Sequence, residues 1–186
     1  NIPPKLCSYS CVYCQVGRTL NFQVDRRNYY EPHQILEEVR EKVAGTESSN
    51  ENVDYLAFVP DGEPTLDANL GNSIELLKPL NIKTAVISNG SLIDQPDVRR
   101  DLSMADWVSL KVDSGSEKTW RRTNRPHGIL ALDSILSGML EFRNMYAGEL
   151  VTETMLVQDV NDNADSLETV AECLSLLKPA KAYISI

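Results

Sequence analysis

From residue 31 onward, short apolar runs alternate with segments whose apolar positions recur at helical spacing. Glu31-Pro32 opens the first helix, with proline in the first turn and Ile35, Val39 and Val43 on one face. Residues 53–59 read as a buried strand. Leu70, Ile74 and Leu77 mark a second helix that Pro79 ends, and 82–87 is the next strand, closed by the turn signal Asn89-Gly90. A short helix over 94–103 leads to a strand over 106–112, and residues 115–127 read as a loop. A long amphipathic helix then runs from Ile129 to Tyr146 and is followed by a strand over 150–157. The last two elements are a helix over 165–178, with Leu167, Val170, Leu174 and Leu177 inward, and a strand over 182–186.

Strands separated by whole helices have connections long enough for parallel pairing, so the class is α/β. No repeat, low-complexity segment or linker divides the chain, and residues 1–186 read as one domain. The first cysteine stands at position 7, leaving no room for a full strand before it, and Tyr183-Ile184-Ser185-Ile186 ends inside a strand. The chain therefore reads as a fragment lacking a first strand and a C-terminal extension.

Hydrophobic residues at 42% and charged residues at 24% fit a globular protein, and no apolar run approaches bilayer length, which makes the cytoplasm the default compartment. The net charge of −9 sets the whole surface against nucleic acid, but two basic islands interrupt it. Residues 15–30 carry a local +2 (Arg18, Arg26 and Arg27 against Asp25), and 114–127 a local +3 (Lys118, Arg121, Arg122 and Arg125 against Glu117). Either solvated loops or an anionic substrate would account for them.

Three of the four cysteines, Cys7, Cys11 and Cys14, fall on one short loop with spacing C-x3-C-x2-C. Clustering of this kind reads as metal ligation rather than a disulfide framework. Three thiolates can hold three irons of a [4Fe–4S] cubane and leave the fourth iron for the amino and carboxylate groups of S-adenosylmethionine (SAM), whose carbon–sulfur bond one electron then breaks. A structural zinc site or a ferredoxin-type carrier would want a fourth ligand. Cys173 reads as a small core residue, His33 as a surface residue in a helical first turn, and His127 as the remaining candidate.

The loop Lys5-Leu6-Cys7-Ser8-Tyr9-Ser10-Cys11-Val12-Tyr13-Cys14 resembles the signature of the radical SAM superfamily, and Cys14-Gln15-Val16-Gly17-Arg18-Thr19 is similar to a prokaryotic branch related to wyosine-type tRNA enzymes. The resemblance implies a partial parallel (βα)6-type barrel, SAM and a [4Fe–4S] cluster as cofactors, and an electron donor that is flavodoxin- or ferredoxin-like. It also implies that Tyr13 lies by the SAM adenine. Pro60-Asp61-Gly62-Glu63-Pro64 resembles the family's Gly-Gly-Glu-Pro motif, whose backbone meets the SAM amino group; Asp61 replaces the first glycine and is expected to tolerate a positive φ. Ser88-Asn89-Gly90 is similar to the family's Thr-Asn-Gly turn, with Ser88 placed for the methionine carboxylate. On the strand over 106–112, period two puts Ser109, Lys111 and Asp113 on one face; Lys111 and Asp113 either form an ion pair at the strand end or, as the resemblance implies, bind SAM, since Lys111 stands where relatives bind it. Glu153 either orients the SAM ribose or ammonium group or pairs with Lys111 as a structural acid.

The substrate is not written in these residues, and tRNA or a partner protein activated by the enzyme both fit, as does a non-catalytic iron–sulfur or zinc module. Trp120, Arg121, Arg122 and Arg125 could hold RNA, with phosphate on the arginines and a base stacked on the indole. The structural alternative is a lid whose tryptophan packs inward.

Overall fold

The computed structural model describes residues 5–48, 52–59 and 61–186. Its frame is one parallel sheet in the order β1-β2-β3-β4-β5, formed by Tyr55–Phe58, Lys83–Ser88, Trp107–Lys111, Glu149–Met155 and Lys181–Ser185. Sequential strands are neighbours throughout, as in a partial (βα) barrel, and each C-terminal end therefore opens on the same rim. Helix α1 (Pro32–Ser48) precedes β1, and α2 (Leu70–Leu77), α3 (Pro96–Leu102), α5 (Leu132–Met145) and α6 (Ala164–Leu177) lie in the crossovers, with α1 against α2, α2 against α3 and α5 against α6. No helix among the described residues is long and apolar enough to cross a membrane.

The core lies between the sheet and the helices. Val86, Val108, Leu110 and Leu150 from the strands meet Leu92, Ile93, Ile135, Met139 and Phe142. Phe142 stacks on Tyr146 at 4.7 Å, and the Tyr146 hydroxyl donates to Ala105 O at 3.0 Å, which closes α5 onto the start of β3.

Three expectations change. Residues 53–59 are not a buried strand: β1 lies at the sheet edge, with Tyr55 41% and Val59 53% exposed. Leu167 faces out at 39%, because α6 turns Ser166, Val170 and Leu177 inward instead. The segment 115–127 is not all loop, since α4 (Glu117–Thr123) forms within it. Glu117 in its first turn and Arg121 and Arg122 in its last oppose the helix dipole, and a Glu117–Arg121 pair at 2.7 Å spans i to i+4.

Gly138 shows how closely α5 seats. A Cβ there would stand 2.7 Å from both Asp94 N and Ile93 O. Alanine is the better helix former by about 1 kcal/mol, but overpacking against backbone costs roughly 1–3 kcal/mol. Gly138→Ala should therefore lower the urea midpoint of unfolding; an unchanged or raised midpoint would show that the helix can shift away without loss.

Candidate functional site

The cysteine loop is fastened along its backbone. Ser10 N donates to Asn124 O (3.0 Å), Val12 N to Thr123 O (2.9 Å), His127 N to Ser8 O (2.8 Å) and Glu63 N to Leu6 O (3.0 Å). Behind it, Thr19 Oγ1 donates to Tyr9 O at 2.7 Å, and Tyr9 meets the buried Trp120 edge to face at 5.8 Å while accepting the indole N–H at 3.2 Å. Arg26 locks the following segment: its guanidinium donates to Thr65 O and Asp67 O and pairs with Asp97 and Asp101, with only 9% of the side chain exposed.

Each thiol in the loop lies by a nitrogen donor. Cys7 Sγ accepts from Tyr9 N and Asn89 Nδ2, both at 3.4 Å, Cys11 Sγ from Asn124 Nδ2 at 3.4 Å, and Cys14 Sγ from Lys5 Nζ at 3.1 Å. Burial, with Glu63 next in weight, pushes the free Cys7 thiol up to about 12, and burial raises Cys11 as well. Cys173 belongs elsewhere, packed half-buried against the core behind Gly115, as its apolar neighbours predict.

The loop after β1 meets this segment without clearance. A side chain at Gly62 would overlap Leu6 O, so only glycine permits the approach. Glu63 caps the turn Pro64–Leu66 and is 1% exposed. Its Oε1 accepts from Thr65 N (3.0 Å), Thr65 Oγ1 (2.7 Å) and Ser88 Oγ (2.6 Å), and its Oε2 from Asn89 N (2.7 Å). Burial pushes this carboxyl up and the four donors pull it back, leaving it above the usual range. Ser88, expected at the methionine carboxylate, is 2% exposed, its hydroxyl donating to Glu63 and accepting from Gly90 N at 3.0 Å. Asp61 is exposed, and Pro60, whose carbonyl defines the Asp61 φ, lies outside the described residues. Pro64 is buried at the start of its turn.

At the ends of β3 and β4, Lys111 Nζ and Glu153 Oε2 pair at 2.8 Å, and Ser109 Oγ donates to Glu153 Oε1 at the same distance. Burial pushes the Glu153 carboxyl up, but Lys111 and Ser109 outweigh it and hold it below its ordinary value. The pair keeps an open side, with the side chains 22% and 27% exposed, and Lys111 Nζ stands 5.8 Å from the Tyr13 ring centre. Tyr13 reaches across to donate its hydroxyl to Asp113 Oδ2. Burial, then the Asp113 charge, pushes this phenol far up, so it stays a donor. Asp113 also accepts from Asn124 Nδ2 at 2.6 Å and Met155 N at 2.8 Å, and its carbonyl accepts from Asn161 Nδ2 at 3.0 Å.

Asn124 and Asn161, 2% and 1% exposed, were not singled out by the sequence. A polar side chain in a turn has no period to betray it. Trp120 is 3% exposed, so its indole offers no face for a stacked base; Arg121 covers it at 5.3 Å, and Arg122 donates to Asp159 O.

Among the described residues no three His, Cys, Asp or Glu side chains could hold one metal ion together. The donor set suits a polynuclear cluster, in which each cysteine takes its own iron, better than a zinc site that needs four converging ligands.

Residues 1–173 match the Radical SAM superfamily. UPF0026 protein MJ1312 of Methanocaldococcus jannaschii is 50% identical over 185 residues, covering 100% of this chain and 57% of that protein. An S-adenosylmethionine-dependent nucleotide dehydratase of a Thermoplasmatales archaeon (strain ISO4-H5) is 30% identical over 123 residues, 66% of this chain and 40% of that protein. Among solved structures, TYW1 with a lysine-pyruvate adduct bound superposes with a TM-score of 0.71 at 18% identity over 99% of this chain and 63% of that one, a likeness of fold. The chain thus spans only 57% of the length of the M. jannaschii relative. Its match extends over the cysteine loop and all four strand ends built around it, and the chain belongs to the radical SAM superfamily.

Proposed function

We propose that this chain is the SAM-cleaving core of a radical enzyme, with a [4Fe–4S] cluster held by Cys7, Cys11 and Cys14. The observation that carries the reading is the set of three free thiols on one loop, each beside its own N–H donor. When bound, the cluster supplies one electron to the carbon–sulfur bond of SAM, so that 5′-deoxyadenosine and methionine result once hydrogen is taken from a substrate.

The protein's own groups then divide the work. Asn89, Asn124 and Lys5 hold the thiol sulfurs by hydrogen bonds, which fixes their orientation and tunes their charge. Lys111 receives the SAM carboxylate on its open side, and Glu153 keeps the ammonium aimed. Glu63 fixes the loop whose backbone, from Asp61 to Pro64, meets the amino group, and Tyr13 borders the adenine. Asp113 keeps Tyr13 in place rather than touching SAM. The electron comes from a flavodoxin- or ferredoxin-like carrier in a cytoplasm that keeps thiols reduced. The substrate carries phosphate, as tRNA does; the relative that acts on a nucleotide supports this class.

Anaerobic reconstitution should give about four irons and four sulfides per chain, the stoichiometry of one cubane. Alanine at Cys7, Cys11 or Cys14 should abolish both the cluster absorbance and 5′-deoxyadenosine formation with SAM and dithionite, whereas Cys173→Ala should keep both. A cluster that survives in a loop variant but vanishes in Cys173→Ala would overturn the ligand assignment.

Lys111→Ala should weaken SAM binding about tenfold or more, because a charge-assisted hydrogen bond contributes roughly 1.5–3 kcal/mol. The comparison is with Lys111→Arg, which keeps the charge and should lose less. SAM affinity equal to wild type in Lys111→Ala, with the cluster intact, would make the Lys111–Glu153 pair structural.

A further inference from the structure

On the side of the cysteine loop formed by Ser10, a cavity of about 250 Å3 is lined by Arg18, Arg121, Arg125, Phe22 and Pro126. Three guanidinium groups bound one small space with no acidic side chain in its lining. In a protein of net charge −9, that is a local concentration of positive charge the surrounding surface does not explain.

The three arginines are not alike. Arg121 is held in place: Glu117 pairs with it at 2.7 Å, its Nη2 donates to Leu130 O at 3.2 Å, and it lies over Trp120. Arg18 and Arg125 make no side-chain hydrogen bond or ion pair among the described residues. Arg125 also adopts φ +45°, a left-handed backbone uncommon for a residue with a Cβ. Its carbonyl accepts from Ser10 N at 3.1 Å, and the adjoining Pro126 bridges Tyr9, so the cysteine loop itself maintains that backbone. Backbone strain kept beside unpaired cations and a cavity points to a ligand.

We propose that this cavity binds a phosphate group. Guanidinium forks match phosphate oxygens in pairs, and a cleft of one sign raises the local concentration of the opposite charge. Phe22 and Pro126 give the cavity an apolar wall, which suits the sugar or base next to a phosphate rather than a free hydrated ion. The proposal rests on the phosphate-bearing substrate read above and assigns its recognition to Arg18 and Arg125, with Arg121 as the oriented third cation; the buried indole of Trp120 takes no part. The phosphate could belong to a small ester or to the backbone of RNA, and both present the same chemistry to the arginines.

Titration of the full-length reconstituted protein with pyrophosphate, and with a short labelled single-stranded RNA, tests this without SAM or turnover. It therefore stands or falls separately from the cluster and 5′-deoxyadenosine assays. Pyrophosphate should bind and should displace the RNA. Combining Arg18→Gln with Arg125→Gly, glycine being suited to the positive φ, should weaken both ligands at least about tenfold, the scale of one lost charge-assisted contact. The slope of log affinity against log salt for RNA should fall in magnitude by about 0.7, the value for one phosphate no longer neutralised. Arg18→Gln alone, at an exposed position, gives a reading if the double variant folds poorly, and Arg40→Gln on α1 should bind as wild type. RNA far tighter than pyrophosphate would mark a polynucleotide, and comparable affinities a small phosphate ester. Wild-type protein that binds neither, or a double variant that binds both undiminished, overturns the proposal. So does an acidic electron-carrier protein that binds through these arginines where phosphate does not.

Discussion

A single desolvated carboxyl group, that of Glu63, holds together the part of this protein where chemistry is expected. A polar group at 1% exposure is costly unless it is fully hydrogen-bonded, and here four donors from Thr65, Ser88 and Asn89 satisfy it. Meeting that demand forces the end of β2 against the loop after β1. Asn89, positioned by its own N–H on Glu63, turns its side-chain amide to Cys7. The Glu63 amide holds Leu6 O from the other direction, and Gly62 leaves room for that backbone. The resemblance to a SAM-binding loop thus has a mechanical basis: the acid fixes the backbone of that loop.

Asp113 does the corresponding work at the end of β3. It gathers Tyr13 from the cysteine loop, Asn124 from the end of α4 and the amide of Met155 from β4. Cys7 is steadied from the Glu63 side, Cys11 from the Asp113 side through Asn124, and Cys14 by Lys5 from its own loop. Between the two buried acids, the partly exposed Lys111–Glu153 pair is where charge remains reachable. Glu153 orients the Lys111 ammonium while leaving one side of it open.

Much of this was legible in the sequence because it was periodic. Val108, Leu110 and Val112 alternate with Ser109, Lys111 and Asp113, and the structure buries the first set against α5 while the second meets Glu153 and Tyr13. The cysteine spacing and the turn residues after β1 and β2 were equally visible. What escaped was settled by tertiary contact. Helix α4 presents only Trp120 and Thr123 to the interior, too little for a helical period, although its Glu117–Arg121 spacing was a readable cue. Ser88 was assigned by analogy with a ligand contact, and the bond its hydroxyl makes to Glu63 is a tertiary contact no local pattern announces. β1 has a strand's pattern but an edge strand's exposure, a difference that depends on neighbours and not on local sequence.

Charge followed the same logic, because summing it along the chain overstates what is available. Arg26 contributes to the first basic island but is consumed by Asp97 and Asp101 in a nearly buried clamp, which strengthens the fold around the cysteine loop and leaves little field outside. In the second island Arg121 answers Glu117, and Arg122 reaches a carbonyl at Asp159. The positive charge left without a protein partner includes Arg18 and Arg125, drawn from different islands and brought to one cavity only because Ser10 and Tyr9 pair with the segment at 124–126. The contacts that seat the cysteine loop are therefore also the contacts that assemble the cavity. A ligand gripping those arginines would bear directly on the backbone between Cys7 and Cys11, and binding there and the geometry of the thiols are mechanically linked.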